Sequence, residues 1–386
     1  MANKPRKKRV KKEFFYDYTL LFIVLFLVCF GLIMLYSTSS YEANLEFGDP
    51  AYYLKKQIFA TVIGIGVMVV ANLVDYHILE KFATLGYVVS IVMILLVLSP
   101  IGREFNGARR WIFIGPISVQ PAEIAKIALI LLVAVLICKM GKGIRTWKGL
   151  GVILAIAAFP AALILLITSN LSSAIIVMGI AVLMCFVADP KYKKYILLAL
   201  AVVAFAVLAV SVIVSVTEGS AGSGNYRFDR VLAWLNPEAF ADDEGFQTLQ
   251  ALYAIGSGGI WGKGLGQSMQ KLGFLPEAQN DMVFSIICEE LGLFGAFCVI
   301  LLFIMLIWRF MFIANNAPDL FGALLVVGVM AHFAIQVVLN IAVVTNTIPN
   351  TGITLPFISY GGTSILFLLA EIGIVLNVAS QIQIRD

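Results

Sequence analysis

Apolar residues run along this chain in ten long blocks, roughly 18–37, 57–74, 82–98, 120–138, 149–168, 171–188, 195–216, 282–308, 320–344 and 363–380. Each is close to the ~20 residues that a helix needs to cross a hydrocarbon core. The fifth and sixth are parted only by Thr168-Ser169-Asn170, which reads as a tight hairpin. One polar insert, 217–281, is far longer than the others. The pattern predicts an all-α polytopic membrane protein: ten transmembrane helices with a large extracytoplasmic loop between spans seven and eight.

The long loop has a pattern of its own. Glu218 to Gly224 is a Gly/Ser stretch of the kind that makes flexible linkers. Tyr226 to Leu235 places apolar residues at helical spacing, with Arg227 and Arg230 on the other side, and Gln247 to Ile255 reads as a second short amphipathic helix. Such helices lie in the membrane plane or re-enter it. Gly256-Ser257-Gly258-Gly259-Ile260-Trp261-Gly262-Lys263-Gly264-Leu265-Gly266 is either a hinge or a cradle whose amides approach an anion. The loop ends at Asp281, immediately before Met282-Val283-Phe284 enters a span.

Positive charge orients the bundle. Lys4, Arg6, Lys7, Lys8, Arg9, Lys11 and Lys12 precede the first span, and Lys139, Lys142, Arg145, Lys148, Lys191, Lys193 and Lys194 fall in two even-numbered connections. Both termini are therefore expected in the cytoplasm. The domain reading is a basic cytoplasmic tail, 1–17, and one ten-span membrane domain, 18–386. The tail has no cleavage-site pattern after a short apolar core, so the first span is a retained anchor. A basic run this short meets anionic lipid; no nucleic-acid partner is expected.

Composition agrees: 61% of residues are hydrophobic and 13% charged, too few charges to cover a soluble surface. Cys29, Cys138, Cys185, Cys288 and Cys298 all lie in apolar runs and read as packing residues. His77 and His332 accompany no zinc-spaced cluster, and no Walker-type phosphate loop suggests an ATP-driven pump.

The informative residues are charges where apolar ones belong. Glu123 and Lys126, in Gln120-Pro121-Ala122-Glu123-Ile124-Ala125-Lys126, are three apart and so neighbours on one helix face. They are a structural pair, or they line a polar cavity. Arg109 and Arg110 beside Trp111 are interfacial anchors or a phosphate clamp. Glu289 and Glu290 lie about two turns into the eighth span, and pairing or packing suits them better than catalysis. Asp281 is an N-cap, whose pKa the helix dipole would lower, or a carboxylate poised where water meets hydrocarbon. The latter suits chemistry on an amphiphile with a polar head and a lipid tail.

These segments together resemble the SEDS proteins (shape, elongation, division and sporulation). The resemblance rests on Asn106-Gly107-Ala108-Arg109-Arg110-Trp111-Ile112, the Gln120–Lys126 stretch, Gly264-Leu265-Gly266-Gln267-Ser268, Leu275-Pro276-Glu277-Ala278, Glu289-Glu290-Leu291-Gly292 and Thr354-Leu355-Pro356-Phe357-Ile358-Ser359-Tyr360-Gly361-Gly362. The loop wording is closer to the FtsW and sporulation branch than to the RodA branch. Asn280 stands where the family usually has threonine, and Ser169-Asn170-Leu171-Ser172-Ser173 replaces the usual Pro-Asp-Leu-Gly-Thr.

The resemblance implies a peptidoglycan glycosyltransferase that polymerises lipid II at the outer face of the bacterial cytoplasmic membrane, at a division septum or in sporulation. It implies Asp281 as general base, and Arg109, Arg110, Glu123, Lys126, Lys263, Lys271, Glu277 and Ser359 as substrate-binding candidates, with Arg109, Arg110, Lys263 and Lys271 facing the pyrophosphate. A divalent cation (Mg or Mn) is compatible with that leaving group, its ligands unknown. The expected partners are a single-span transpeptidase (a class B penicillin-binding protein), other divisome proteins and membrane lipid. The rival readings are a lipid II flippase, which should carry polar groups at mid-membrane in several spans, and a non-catalytic scaffold for a transpeptidase.

Overall fold

The computed structural model describes residues 16–105, 108–114, 117–217, 226–243 and 245–382. The basic residues before Phe15, Asn106-Gly107, the Glu218–Gly224 linker and Arg385 lie outside them. Among the described residues ten helices are long and apolar enough to span a membrane. They are α1 (Tyr18–Phe47), α2 (Tyr52–Leu73), α3 (His77–Leu96), α4 (Pro121–Met140), α5 (Trp147–Ile167), α6 (Leu171–Ala188), α7 (Lys193–Thr217), α10 (Val283–Asn316), α11 (Leu320–Val344) and α12 (Gly362–Ser380). Two shorter helices, α8 (Tyr226–Leu235) and α9 (Phe246–Gly258), sit in the loop between spans seven and eight, where amphipathic spacing predicts them.

Local chemistry explains most boundaries. Asp17 caps α1 by accepting from Leu20 N at 2.9 Å, Asn170 caps α6 through Ser173 N, and Asp319 caps α11 through Gly322 N. Proline opens α4, where its missing N–H costs nothing. Helix α1 continues ten residues beyond its expected end, to a left-handed Gly48. The 168–170 connection is the tight turn expected between α5 and α6.

The connection before α4 holds a three-stranded antiparallel sheet: β1 (Gly102–Phe105), β2 (Ala108–Ile114) and β3 (Ile117–Val119), in that order. Hydropathy alone gave no hint of it. Its pairing sets Arg103 opposite Trp111 and Ile112 opposite Val119. Thus Arg109 and Arg110 are carried on a strand at the end of the bundle where the long loop lies.

Burial sorts the spans. Helices α4, α6, α11 and α12 are largely buried, whereas α7 buries none of the apolar window that qualifies it as a span. Helices α2 and α12 approach closely: a Cβ added at Gly373 would lie 2.4 Å from Met68 O.

Helix α10 is broken. Gly292 adopts φ 68° and ψ −170°, a conformation open essentially to glycine alone. A break inside a span frees backbone groups that lipid cannot satisfy. Here the loop's glycine run supplies the partners: Lys263 N and Gly264 N donate to the carbonyls of Glu289 and Glu290 at 2.9 Å each. In return Leu293 N and Phe294 N donate to Gly259 O and Ile260 O. Glycine is required for so close an approach, since a Cβ on Gly262 would meet Glu290 O at 2.2 Å. The middle of the run is therefore bonded to the broken helix and mends it.

This geometry predicts that Gly292→Ala is strongly destabilising. The added Cβ would sit 2.4 Å from both Gly262 N and Ile260 O, in a backbone region alanine resists. The expected loss is about 2–3 kcal/mol or more, read as a lower melting temperature in detergent. A melt equal to wild type would mean that α10 is not broken at this residue.

Candidate active site

The loop's last residues do not enter α10 as a regular first turn. Glu277 stands at φ 56°, Asn280 N and Met282 N both donate to Glu277 O, and the helix starts only at Val283. Asp281 is therefore not the N-cap. That position is Met282, with no side-chain capping bond. The dipole argument for a lowered pKa fails with it. Asp281 is only 8% exposed, and Oδ1 has no hydrogen-bond partner among the described residues. Burial pushes its carboxyl up to about 7, and the negative charge of Glu277 adds to the rise. Opposing them are a hydrogen bond that its own backbone N–H donates to the carboxylate and the positive fields of Arg230 and Arg110. Desolvation wins.

Around this carboxylate several elements converge. Arg110, on β2, donates from Nε to Thr168 O at 3.3 Å and from Nη2 to Ser169 O at 3.1 Å, so the α5–α6 turn holds it in place. Arg230, on α8, reaches Asn350 O at 3.5 Å. Segment 350–353 passes beside the carboxylate: a Cβ on Gly352 would lie 3.7 Å from Asp281 Oδ2. Gln247 of α9 ties both sides, donating to Pro276 O and accepting from Asn350 Nδ2. Asn340 of α11 donates from Nδ2 to the carbonyls of Asp281 and Ile353. Tyr360 N donates to Gln279 O at 2.8 Å.

The other sequence candidates divide. Glu277 is close enough to act on Asp281 and accepts from Asn280 Nδ2. Arg109 is half exposed, its Nε 3.6 Å from Glu104 Oε2. Glu123 and Lys126 form the pair their spacing predicts, 2.8 Å apart and buried, with Glu123 Oε2 lacking a partner among the described residues. Ser359 Oγ accepts from Leu355 N at 2.7 Å, closing a turn, and lines a small pocket with Thr354, Tyr360 and Ser364.

Lys263 and Lys271 are both paired with buried carboxylates. Lys263 Nζ lies 2.7 Å from Glu289 Oε1, and Lys271 Nζ lies 2.7 Å from Glu290 Oε1 and 2.9 Å from Ser37 Oγ of α1. Both carboxylates are fully buried. Ser268 Oγ and Met269 N also donate to Glu289, and Ser37 Oγ donates to Glu290. The pairing expected for the two glutamates is present, with loop lysines as partners. What sequence reasoning missed is Arg230 as a charge on Asp281, and Asn340 altogether. The one signal for Asn340 was an amide inside an apolar run, one turn after Gln336. Among the described residues no three His, Cys, Asp or Glu side chains gather as a metal-holding group.

The model for a family of cell cycle proteins (FtsW, RodA and SpoVE) matches residues 18–384. The chain is 39% identical to stage V sporulation protein E of Bacillus subtilis, over 94% of this chain and 96% of that one. It is 38% identical to a probable peptidoglycan glycosyltransferase FtsW of Geobacter metallireducens, over 95% and 96%. Its fold is similar to a chain in a solved peptidoglycan synthase complex described as coordinating polymerization and crosslinking. There the TM-score is 0.74 and the identity 28%, with 94% of this chain and 97% of that one covered.

The buried lysine–glutamate pairs make a testable claim about the loop. Lys271→Met strands the Glu290 charge and should cost about 3–5 kcal/mol. Lys271→Met with Glu290→Gln should recover most of that stability, and a thermal double-mutant cycle in detergent measures the coupling. Additive losses would show that the two charges are not coupled.

Proposed function

The chain belongs to the FtsW, RodA and SpoVE family, the SEDS proteins, and from that premise we propose that it polymerises lipid II into glycan strands, with Asp281 as general base. The observation that carries the reading is the Asp281 carboxyl itself, buried, near pH 7 in affinity, and flanked by Arg110 and Arg230. A base works best when its pKa lies near the operating pH, because it is then both ionised and a good proton acceptor.

In the reaction, the 4-hydroxyl oxygen of the acceptor sugar attacks the anomeric carbon of the donor. The new carbon–oxygen bond forms as the bond to pyrophosphate breaks, with inversion. The hydroxyl proton passes to Asp281, and undecaprenyl pyrophosphate leaves with its electron pair. Arg110, anchored on the α5–α6 turn, is suited to meet the developing negative charge, with Arg230 and the more exposed Arg109 beside it. Lys263 and Lys271, already neutralised by Glu289 and Glu290, are reserved for holding the loop. Glu123 with Lys126 and Ser359 remain candidates for lining the substrate path.

The basic N-terminal tail (1–17) and the even-numbered connections face the cytoplasm in this reading. Asp281, and the polar loop of the single membrane domain (18–386), face outward, at a division septum or a forming spore. A class B penicillin-binding protein is the proposed partner, which the resemblance to a chain of a polymerising and crosslinking complex supports. A flippase reading fits less well. The intramembrane charges Glu123, Lys126, Glu289, Glu290 and Glu371 all find partners inside the protein, Glu371 with His332 at 2.9 Å, and so mark packing contacts more than a transport path.

Purified protein given lipid II, a transpeptidase partner and Mg, without ATP, should form glycan chains on a gel and release undecaprenyl pyrophosphate. Lipid II that stays unpolymerised there, yet crosses sealed vesicles containing this protein, would replace this reading with the flippase. Asp281→Asn should abolish synthesis while its melting temperature at pH 8 stays at or above wild type, because the variant no longer buries a charge. Near wild-type synthesis by that variant would remove Asp281 from the base role.

The pH dependence has a definite sign. Below about 7 the Asp281 carboxyl is protonated and cannot accept a proton, so the rate should rise with pH through about 7. Glu277→Gln removes a charge that holds the pKa up, and so should move that rising limb to lower pH. A limb displaced upward, or unmoved, would contradict the assigned electrostatics.

A further inference from the structure

Helix α11 carries a polar stripe on its most buried side. His332, Gln336 and Asn340 recur every fourth residue, which puts them on one face. All three are at most 2% exposed. Polar residues in a span normally have a task, and their bonds differ. His332 Nδ1 meets Glu371 of α12, and Gln336 Nε2 donates to Thr354 O at 3.0 Å. Asn340 alone reaches the loop that ends in Asp281. Its Nδ2 uses both hydrogens, one on Asp281 O at 2.8 Å and one on Ile353 O at 2.6 Å.

That fork matters because of what the Asp281 side chain lacks. Oδ1 has no partner among the described residues, and outside its own backbone the nearby charges act as fields. No described side chain aims the carboxylate through Oδ1. Its direction is inherited from the backbone, and that backbone is irregular, neither helix nor strand. Asn340 pins the carbonyl of Asp281 itself and, with the same nitrogen, the 351–355 segment whose Gly352 faces Oδ2.

We propose that Asn340 is a positioning residue for polymerisation. Its amide clamps the Asp281 and Ile353 carbonyls together and thereby fixes where the carboxylate points. The proposal rests on the reading of Asp281 as the base. A misplacement of about 1 Å at a reacting group costs on the order of a hundredfold in rate. The charged groups bearing on Asp281 are Glu277, Arg230 and Arg110, and Asn340 touches none of them in the bonds it makes.

Asn340→Leu removes both donors at similar size. It should lower kcat about a hundredfold with KM for lipid II within about threefold. A second readout does not depend on catalysis. Carbodiimide coupling of a small amine, followed by peptide mass spectrometry, reports the protonated fraction of Asp281 against pH. The wild-type midpoint should lie near 7 and fall toward the ordinary carboxylate range in Asn340→Leu, as the loosened loop admits water. Gln336→Leu, equally buried but bonded only to the 354 carbonyl, should lower the melting temperature without moving the midpoint. Should Asn340→Leu fail to fold, Asn340→Ser keeps one donor and should show the same changes at smaller size. A lowered melting temperature with kcat and midpoint both unchanged would overturn the proposal. A shifted midpoint in a protein whose synthesis survives both Asn340→Leu and Asp281→Asn would leave the clamp standing and sink the base instead.

Discussion

Two adjacent carboxylates, Glu289 and Glu290, sit fully buried at a break in a membrane span, and much of the loop end is arranged to make that tolerable. An ionised carboxylate removed from water costs several kcal/mol unless it is paired and hydrogen-bonded. The loop between spans seven and eight supplies Lys263, Lys271, Ser268 and the amide of Met269, and α1 supplies Ser37. Two carbonyls freed by the break are taken by loop amides. A polar insert that might have swung free in solvent is thus stitched to the transmembrane bundle over residues 258–271. Asp281 follows ten residues later, on chain whose origin is already fixed.

From that anchor the site is built by convergence. Loop helix α9 bridges Pro276 and Asn350 through Gln247, and α8 brings Arg230 to Asn350. Strand β2 delivers Arg110 to the α5–α6 turn, and α11 holds the Asp281 carbonyl. The result is a carboxylate whose burial outweighs two nearby arginines. If the site admitted more water, the desolvation that raises the pKa would shrink and Asp281 would be a weaker base. Proton affinity here depends on how tightly 275–282 and 350–353 close over one residue.

The peripheral helices have another role. Helix α7 offers apolar side chains all round and buries none of its apolar window, while α4, α6, α11 and α12 form the packed interior. Charges within that interior are matched locally, as in Glu123 with Lys126 and His332 with Glu371. A bundle with paired interior charges and a polar cap at one end supports the proposed reading of chemistry at one surface.

Much of this was written in the sequence because lipid imposes a simple code. Spans must be apolar and about 20 residues long, so the ten helices could be read from hydropathy, and a carboxylate at the edge of a span stands out. Neighbours on one helix are equally legible, which is why Glu123 and Lys126 were foreseen as a pair. Contacts between distant segments obey no such local rule. Nothing in the order of residues says that Lys271 will meet Glu290 and Ser37, that Gly292 will break a helix for Gly262 to mend, or that Arg230 will act on Asp281. Nor could spacing reveal that the residue after Asp281, and not Asp281 itself, takes the N-cap position of the helix. That single shift replaced a capping aspartate with a lowered pKa by a buried one with a raised pKa. Local pattern determined which residues lie at the membrane surface; only packing decided how dry that surface is, and dryness sets what the carboxylate can do.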